Sequence, residues 1–226
     1  MDVVKGPSDE LIERAELLRE RVDGHPERCA AVVPELVEML GLTDEPAALI
    51  AIAQAMGAAW NDEASLALLP LTSHPNADVR LAVTRALPGG VQKPDAKNRV
   101  ARALTQLTID ESSAIRDWAV FGLGSILDVD TPEVRQALRA RLFDSDLDTR
   151  LEALVGLAER RDPTILDMLR EELRGDTVDL LAVDAARAFA DPSLLPLLLE
   201  LAPRWDHDPD LLRRAIQTCT TGEQEP

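Results

Sequence analysis

The chain has 226 residues, of which 46% are hydrophobic and 29% charged, a composition typical of a folded globular protein. Its formal net charge of −17 disfavours nucleic acids and anionic membranes as partners, because binding to phosphate requires a basic surface. The aromatic residues are three Trp and three Phe, with no Tyr, whereas Ala and Leu are abundant. This composition favours an all-α fold over a β-sandwich or β-barrel.

The first predicted element is a helix at residues 8–25, with Ser8 as its N-cap. After this helix, phrases similar to "TRLEALVGLA" at 149–158 recur along the chain. They begin at residues 48, 79, 115, 149, 181 and 211. In each phrase the first, fifth, eighth and ninth positions are apolar or small, which is the stripe of an amphipathic helix.

A second apolar-periodic stretch precedes each phrase, so that the repeating unit is a helical hairpin. Several of these stretches open with a capping residue followed by proline, as at Thr131-Pro132, Asp162-Pro163 and Asp191-Pro192. Asp208-Pro209 opens a second helix in the same way. Residues 26–221 are therefore predicted to form six hairpins.

The phrase Asp-x-x-x-x-x-Arg stands before two of the second helices, as Asp110 to Arg116 and Asp144 to Arg150. Followed by the Ala and Leu pattern, it resembles the HEAT repeat, and the short period is similar to that of phycobilisome-lyase-type repeats. The resemblance covers residues 26 to 220. It implies a right-handed α-solenoid of about six HEAT-like hairpins, with the helix at 8–25 as an N-terminal cap.

The resemblance also implies an Asp–Arg ladder, in which these turn Asp and helix Arg residues bond neighbouring hairpins. Carried over to this chain, it pairs Asp110 with Arg116 and Asp144 with Arg150. Three of the other hairpins keep only one partner. His74 stands where Arg80 would need an Asp, and Ala182 and Leu212 replace the Arg that should follow Asp176 and Asp206. The ladder is therefore expected to be complete in two of the six hairpins.

No linker or change in composition divides the chain, which predicts one domain over residues 1–226 with a frayed tail at 222–226. Cys29 and Cys219 stand near opposite ends and suggest neither a disulfide framework nor a zinc site. No signal sequence or membrane span is expected, so a cytoplasmic protein is predicted. The excess of Arg over Lys suggests a bacterial source.

Two acidic stretches could be mistaken for metal sites. "DSDLD" at 144–148 lacks the Gly and Glu that a calcium loop requires. In "WDHDPD" at 205–210, Asp208 is better explained as a helix cap and Asp206 as a ladder residue. No metal, cofactor or catalytic residue is predicted.

The third, sixth and seventh positions of the second helices should line the concave face of such a solenoid. Many of these positions are apolar, which indicates either an exposed partner site or side chains buried between the layers. The candidate partner-binding residues are Leu81, Arg85, Asp117, Val120, Phe121, Leu151, Leu154, Val155, Val183 and Arg187.

The predicted function is that of a non-catalytic scaffold that binds a segment of a partner protein on its concave face. The alternative is a groove-based enzyme on a HEAT-like fold, similar to a nucleobase glycosylase or a chromophore lyase. The pattern of Asp117 and Trp118 on a second helix leaves the glycosylase alternative open, whereas the acidic charge of the chain opposes it.

Overall fold

A computed structural model describes residues 6–223, and within this range the chain forms thirteen α-helices and no β-strand. The contacts divide the chain into two compact units, one ending at Val129 and the other beginning at Asp130. Whether the two units form the single predicted domain over residues 1–226 is not decided by these contacts, so that the single domain remains a prediction. Residues 224–226 of the predicted frayed tail lie outside the described residues.

The first unit contains one leading helix and three helical hairpins. Its helices are α1 (Pro7–Val22), α2 (Cys29–Leu40), α3 (Pro46–Ala58), α4 (Asp62–Leu68), α5 (Ala77–Ala86), α6 (Pro94–Leu107) and α7 (Ser113–Phe121). Helices α1, α3, α5 and α7 pack side by side as one layer, which we call the inner helices, and α2, α4 and α6 form the outer layer. A π-helical turn at Gly122–Ile126 continues α7.

The second unit contains three hairpins. Its helices are α8 (Pro132–Arg141), α9 (Leu147–Glu159), α10 (Leu166–Arg174), α11 (Leu180–Phe189), α12 (Leu195–Leu201) and α13 (Pro209–Thr221). Here α9, α11 and α13 are the inner helices. The six predicted hairpins and the all-α solenoid class are confirmed, because every repeated phrase lies on an inner helix.

The leading helix α1 belongs to the inner layer. Its buried residues Ala15, Leu18 and Val22 follow a helical stripe, and the helix packs against α3. It therefore covers the flank of α3 that no preceding hairpin covers, as a capping helix is expected to do.

The cap predicted at Ser8 is wrong, because α1 begins at Pro7 after Gly6 and ends at Val22, so that Ser8 lies within the helix. The four predicted caps that precede proline are confirmed. The Thr131 hydroxyl accepts from the amide of Val134, and the Asp162, Asp191 and Asp208 carboxylates each accept from the amide two residues further on. In each case proline occupies the first helical position, where no amide hydrogen is needed.

The Asp–Arg ladder exists, but its bonds connect different partners from those predicted. The Asp110 carboxylate accepts two hydrogen bonds from Arg80 of the preceding hairpin, at 2.8 and 3.0 Å. Arg116, the predicted partner, donates instead to the backbone carbonyl of Asp110 at 3.1 Å. Arg150 donates in the same way to the carbonyl of Asp144, at 2.8 Å. Each of these arginines therefore binds the backbone of its own turn, and Arg80 also reaches the next turn.

The turn that contains His74 is a full part of this ladder, although its sequence lacks the Asp. Nδ1 of His74 accepts from the amide of Asn76 at 3.1 Å, just as the Asp110 carboxylate accepts from the amide of Ser112 at 2.9 Å. Arg80 donates to the His74 carbonyl at 2.8 Å. Because any residue supplies a carbonyl, Arg80 needs no Asp in its own turn.

A comparable bond is found where Ala182 replaces the ladder arginine. Arg204, which ends the short helical turn after α12, donates to the carbonyls of Gly175 and Asp176, at 2.8 Å each. An arginine from the following hairpin therefore bonds the turn that α11 leaves without its own arginine.

The second unit also contains a buried carboxylate, that of Asp162. It is fully buried and accepts hydrogen bonds from Arg135, Arg139 and the Thr164 hydroxyl. Burial alone would raise the pKa of Asp162, but these hydrogen bonds outweigh it and lower the pKa to about 2. The carboxylate therefore stays charged and holds α8 against the turn that follows α9.

The first testable consequence concerns Arg150. Replacing it with Ala removes a charge-assisted bond to a turn carbonyl, and we expect the free energy of unfolding to fall by about 1–3 kcal/mol. Urea denaturation measures this change, with Arg102→Ala on the exposed face of α6 as the control. Equal losses in the two variants would show that Arg150 is an ordinary surface charge.

The second consequence concerns acid stability. Because the pKa of Asp162 is lower in the folded chain than in the unfolded one, its contribution is complete above about pH 4 and is lost as the pH falls towards 2. Between these values the stability of the wild type should fall by about 2 kcal/mol more than that of Asp162→Asn. Urea titrations at a series of pH values test this, and parallel curves for the two proteins would contradict it.

Candidate functional site

The ten predicted partner-binding residues differ widely in exposure. In the first unit, Arg85 is exposed and Leu81, Asp117 and Phe121 are half-buried, but Val120 is fully buried. In the second unit, only Arg187 is half-buried. The other four candidates there are in the core: Leu151, Leu154, Val155 and Val183.

The expectation of an exposed apolar face is therefore wrong for Val120 and for those four residues of the second unit. The alternative that the sequence left open, burial between the layers, is what the structure shows at these positions. The sixth position of the repeated phrase is buried in five successive inner helices, as Ala53, Thr84, Val120, Leu154 and Ala186. Because inner helices pack side by side, this position lies on the flank of its helix and not on the open face.

The open face of the first unit contains a cavity of about 670 Å³, which we call the first-unit groove. Three inner helices line it. Helix α1 and its C-cap contribute Arg19, Glu20 and Asp23. Helix α3 contributes Ile50, Gln54, Gly57 and Ala58, and helix α5 contributes Asp78, Leu81, Ala82, Arg85 and Ala86. The third and seventh positions of the repeated phrase thus line the groove, as Ile50 and Gln54 in α3 and Leu81 and Arg85 in α5.

Gly57 sets the depth of the groove between α3 and α5. A Cβ atom at this position would lie 3.0 Å from the Cβ of Ala86, closer than side-chain atoms normally approach. The absence of a side chain therefore lets the two helices come close together, and the small residues Ala58, Ala82 and Ala86 keep the groove open.

Next to the groove, Arg85 connects α5 with an aromatic pair on α7. Its guanidinium carbon lies 4.7 Å from the centre of the Trp118 ring, in a cation–π contact. Trp118 and Phe121 lie three residues apart on the same face of α7 and pack edge to face, with their ring centres 5.6 Å apart. The inner face of the first unit therefore displays a cation over the ring of Trp118, which packs in turn against Phe121.

The sequence reasoning missed two parts of this site. It did not include Trp118 among the candidates, although its half-buried side chain holds Arg85. It also treated α1 only as a cap, whereas α1 supplies Arg19 and Glu20 to the groove. The stripe of Ala15, Leu18 and Val22 was the available signal, because it resembles the buried stripe of the other inner helices.

Arg187 in the second unit has a different environment from Arg85. It donates to Asp184 at 2.7 Å and to Glu159 at 3.2 Å. Burial lowers the pKa of Arg187, but the hydrogen bond and charge of Asp184, together with Glu159, raise it on balance. Its guanidinium therefore joins α9 to α11 within the unit.

Among residues 6–223, no group of three His, Cys, Asp or Glu side chains is arranged to hold a metal ion. At the suspected stretch near the C-terminus, the Asp208 carboxylate caps α13 and His207 lies 3.5 Å from Asp206. In the same range, no helix is both long and apolar enough to cross a membrane.

The hairpins of both units and the Asp–Arg ladder define a helical-repeat protein. Residues 100–189 match the family model of HEAT repeats. Protein YibA of Escherichia coli K12 is 32% identical over 113 residues, which are 50% of this chain. The chain spans 40% of the length of this relative in that match.

Solved structures extend the similarity to nearly the whole chain. A HEAT-like repeats protein from Thermococcus onnurineus NA1 has a TM-score of 0.59 and 16% identity, over 97% of this chain and 98% of its own. The structure of Escherichia coli YibA has a TM-score of 0.53 and 18% identity, over 97% of this chain and 99% of its own. The complex of CpcE and CpcF of phycocyanin lyase from Nostoc sp. PCC7120 has a TM-score of 0.52 and 14% identity, over 99% of this chain and 97% of the matched chain. At these identities the similarity shows the fold, which is that of HEAT-like repeat proteins.

The burial of the apolar candidates is open to a direct test. Val155, 3% exposed, should not tolerate a carboxylate, so that Val155→Asp should lower the free energy of unfolding by at least about 3 kcal/mol. Leu81→Asp, at a half-buried position of the first-unit groove, should cost about 1 kcal/mol and leave a folded protein. Chemical denaturation followed by circular dichroism compares the two, and a stable Val155→Asp variant would place Val155 on an open face.

Proposed function

We propose that this protein is a non-catalytic scaffold that binds a segment of a partner polypeptide in the first-unit groove. The observation that carries this proposal is the cluster of Arg85, Trp118 and Phe121 beside an open cavity on the inner helices. Of the partner-binding residues predicted for the concave face, the proposal keeps only those of the first unit.

The residue types of this cluster suit a binding surface. Trp and Arg are the side chains most enriched among residues that dominate the energy of protein–protein interfaces. Trp118 and Phe121 fix each other in an edge-to-face pair, and Arg85 lies over the indole. Because these side chains are already ordered by mutual contact, a partner would lose less free energy in immobilising them.

The size of the first-unit groove agrees with this role. Its volume of about 670 Å³ is in the range of sites that accept several side chains, and it opens to solvent between α1, α3 and α5. Leu81 and Ile50 provide apolar surface in the groove, while charged residues surround them. A short polypeptide segment would find both apolar contact and polar partners there.

The HEAT-like fold also supports a binding role. CpcE and CpcF of phycocyanin lyase, which share this fold, were solved as a complex of two proteins. We extend only the general mode of action, protein binding by stacked helical hairpins, to this chain.

We further propose a cytoplasmic location for the scaffold, in a bacterial cell. Cys29 and Cys219 are both free thiols and both buried. Burial raises the pKa of the Cys219 thiol to about 11, so that it stays protonated and unreactive.

The proposal is tested by affinity capture of the partner from the native host, followed by binding measurements with the purified partner. Trp118→Ala should weaken binding by at least about tenfold, because an interface anchor is lost. Arg102→Ala on α6 serves as the matched control and should bind as the wild type does. A partner that binds Trp118→Ala and wild type equally would contradict a site on this face.

A further inference from the structure

The guanidinium of Arg85 has unused hydrogen-bonding capacity. Among the described residues it makes no hydrogen bond or ion pair, and its one polar contact is with the face of Trp118. A cation–π contact with one ring does not satisfy the five N–H donors of a guanidinium, so that donors remain for a further partner. Those N–H groups form a planar fork that matches the two oxygens of a carboxylate.

Two arginines that also lie on inner helices differ from Arg85 in this respect. The ladder arginine Arg80 and the inner-helix arginine Arg187 both donate to carboxylates or carbonyls of their neighbours. Arg85 and Arg19, by contrast, line the first-unit groove with side chains that make no hydrogen bond within residues 6–223. The groove therefore holds two cations whose donors are available to a ligand.

The groove also contains three carboxylates whose oxygens are available to a ligand. The side chains of Glu20, Asp23 and Asp78 line it and make no hydrogen bond or ion pair among the described residues. With Arg19 and Arg85, the lining carries two positive and three negative charges. A ligand with a dense negative charge would be repelled by the acidic residues, because Coulomb repulsion grows with each added charge.

The mixed charges of the groove lining favour a polypeptide segment that carries both acidic and basic side chains. A single carboxylate matches Arg85, whereas basic side chains match Glu20, Asp23 and Asp78. A phosphate group carries up to two negative charges and a nucleic acid carries many, so both fit this lining less well.

We propose that the first-unit groove recognises a polypeptide segment in which one Asp or Glu side chain binds Arg85 and neighbouring Lys or Arg side chains bind the acidic residues of the groove. This inference rests on the proposed function and specifies the chemistry of the partner. Arg85 is the residue that sets the specificity for the carboxylate. Trp118 holds the guanidinium in place.

The experiment uses the full chain and a phage-displayed library of random dodecapeptides as the probe. Peptides selected on the wild type are sequenced, synthesised with a fluorescent label and titrated by fluorescence anisotropy. We expect the selected peptides to share an Asp or Glu together with Lys or Arg. Arg85→Gln should weaken their binding by about tenfold or more, and Arg102→Gln should leave it unchanged.

A second measurement tests the contact itself. Replacing the shared peptide carboxylate by its amide should weaken binding to the wild type by a similar factor and have little further effect on Arg85→Gln. Circular dichroism of Arg85→Gln confirms that the exposed substitution leaves the fold intact. Additive losses in the peptide and protein variants would overturn the proposed contact.

The remaining outcomes separate this inference from the proposed function. Peptides that require Trp118 but bind equally to wild type and Arg85→Gln would overturn the carboxylate contact and leave the binding groove standing. Tighter binding of a peptide with phosphoserine at the acidic position would overturn the choice of a carboxylate. If no selected peptide depended on either Trp118 or Arg85, both proposals would be wrong.

Discussion

The bond between Arg80 and Asp110 is the contact on which the inner face of the first unit depends. It joins α5 to the turn before α7, and both side chains are largely shielded from water, with 16% and 9% of their surface exposed. The hydrogen bond from Arg80 lowers the pKa of Asp110, so that the carboxylate stays charged. Along the same two helices, Arg85 lies over Trp118. By fixing α5 in register with α7, the Arg80–Asp110 bond therefore also brings Arg85 next to Trp118.

This arrangement explains why a structural ladder and a candidate binding site occur on the same helices. Arg85 lies five positions after Arg80 along α5, which is more than one helical turn. Arg80 thus points to the hairpin turns, and Arg85 points to the open face. Arg80, which is largely shielded from water, donates its hydrogen bonds within the fold. The exposed Arg85 leaves its donors available.

Much of the fold followed from the sequence, because the repeated phrase has the period of a helix and the capping pairs mark where helices begin. The partners in the Asp–Arg ladder did not follow from it. A repeat places Asp110 near both Arg80 and Arg116, and only the stacking of α5 beside α7 decides which arginine reaches the carboxylate. The role of His74 was also hidden, since the backbone carbonyl that Arg80 binds leaves no trace in the sequence.

The site was predicted in part. The third and seventh positions of the repeated phrase were assigned correctly to the open face for Leu81 and Arg85, but the same rule failed for Leu151 and Val155. Periodicity gives the direction in which a side chain points from its own helix. It does not give the distance to the neighbouring helices, which decides whether that side chain reaches solvent.

A double-mutant cycle on Arg80 and Asp110 tests the central claim most directly. The free energy of unfolding is measured for the wild type, Arg80→Ala, Asp110→Ala and the double variant. If this bond holds α5 and α7 in register, the two substitutions should be coupled by about 1–3 kcal/mol, with the double variant losing less than the sum of the single ones. Losses that add to within about 0.5 kcal/mol would show that the two side chains act independently and would contradict the account.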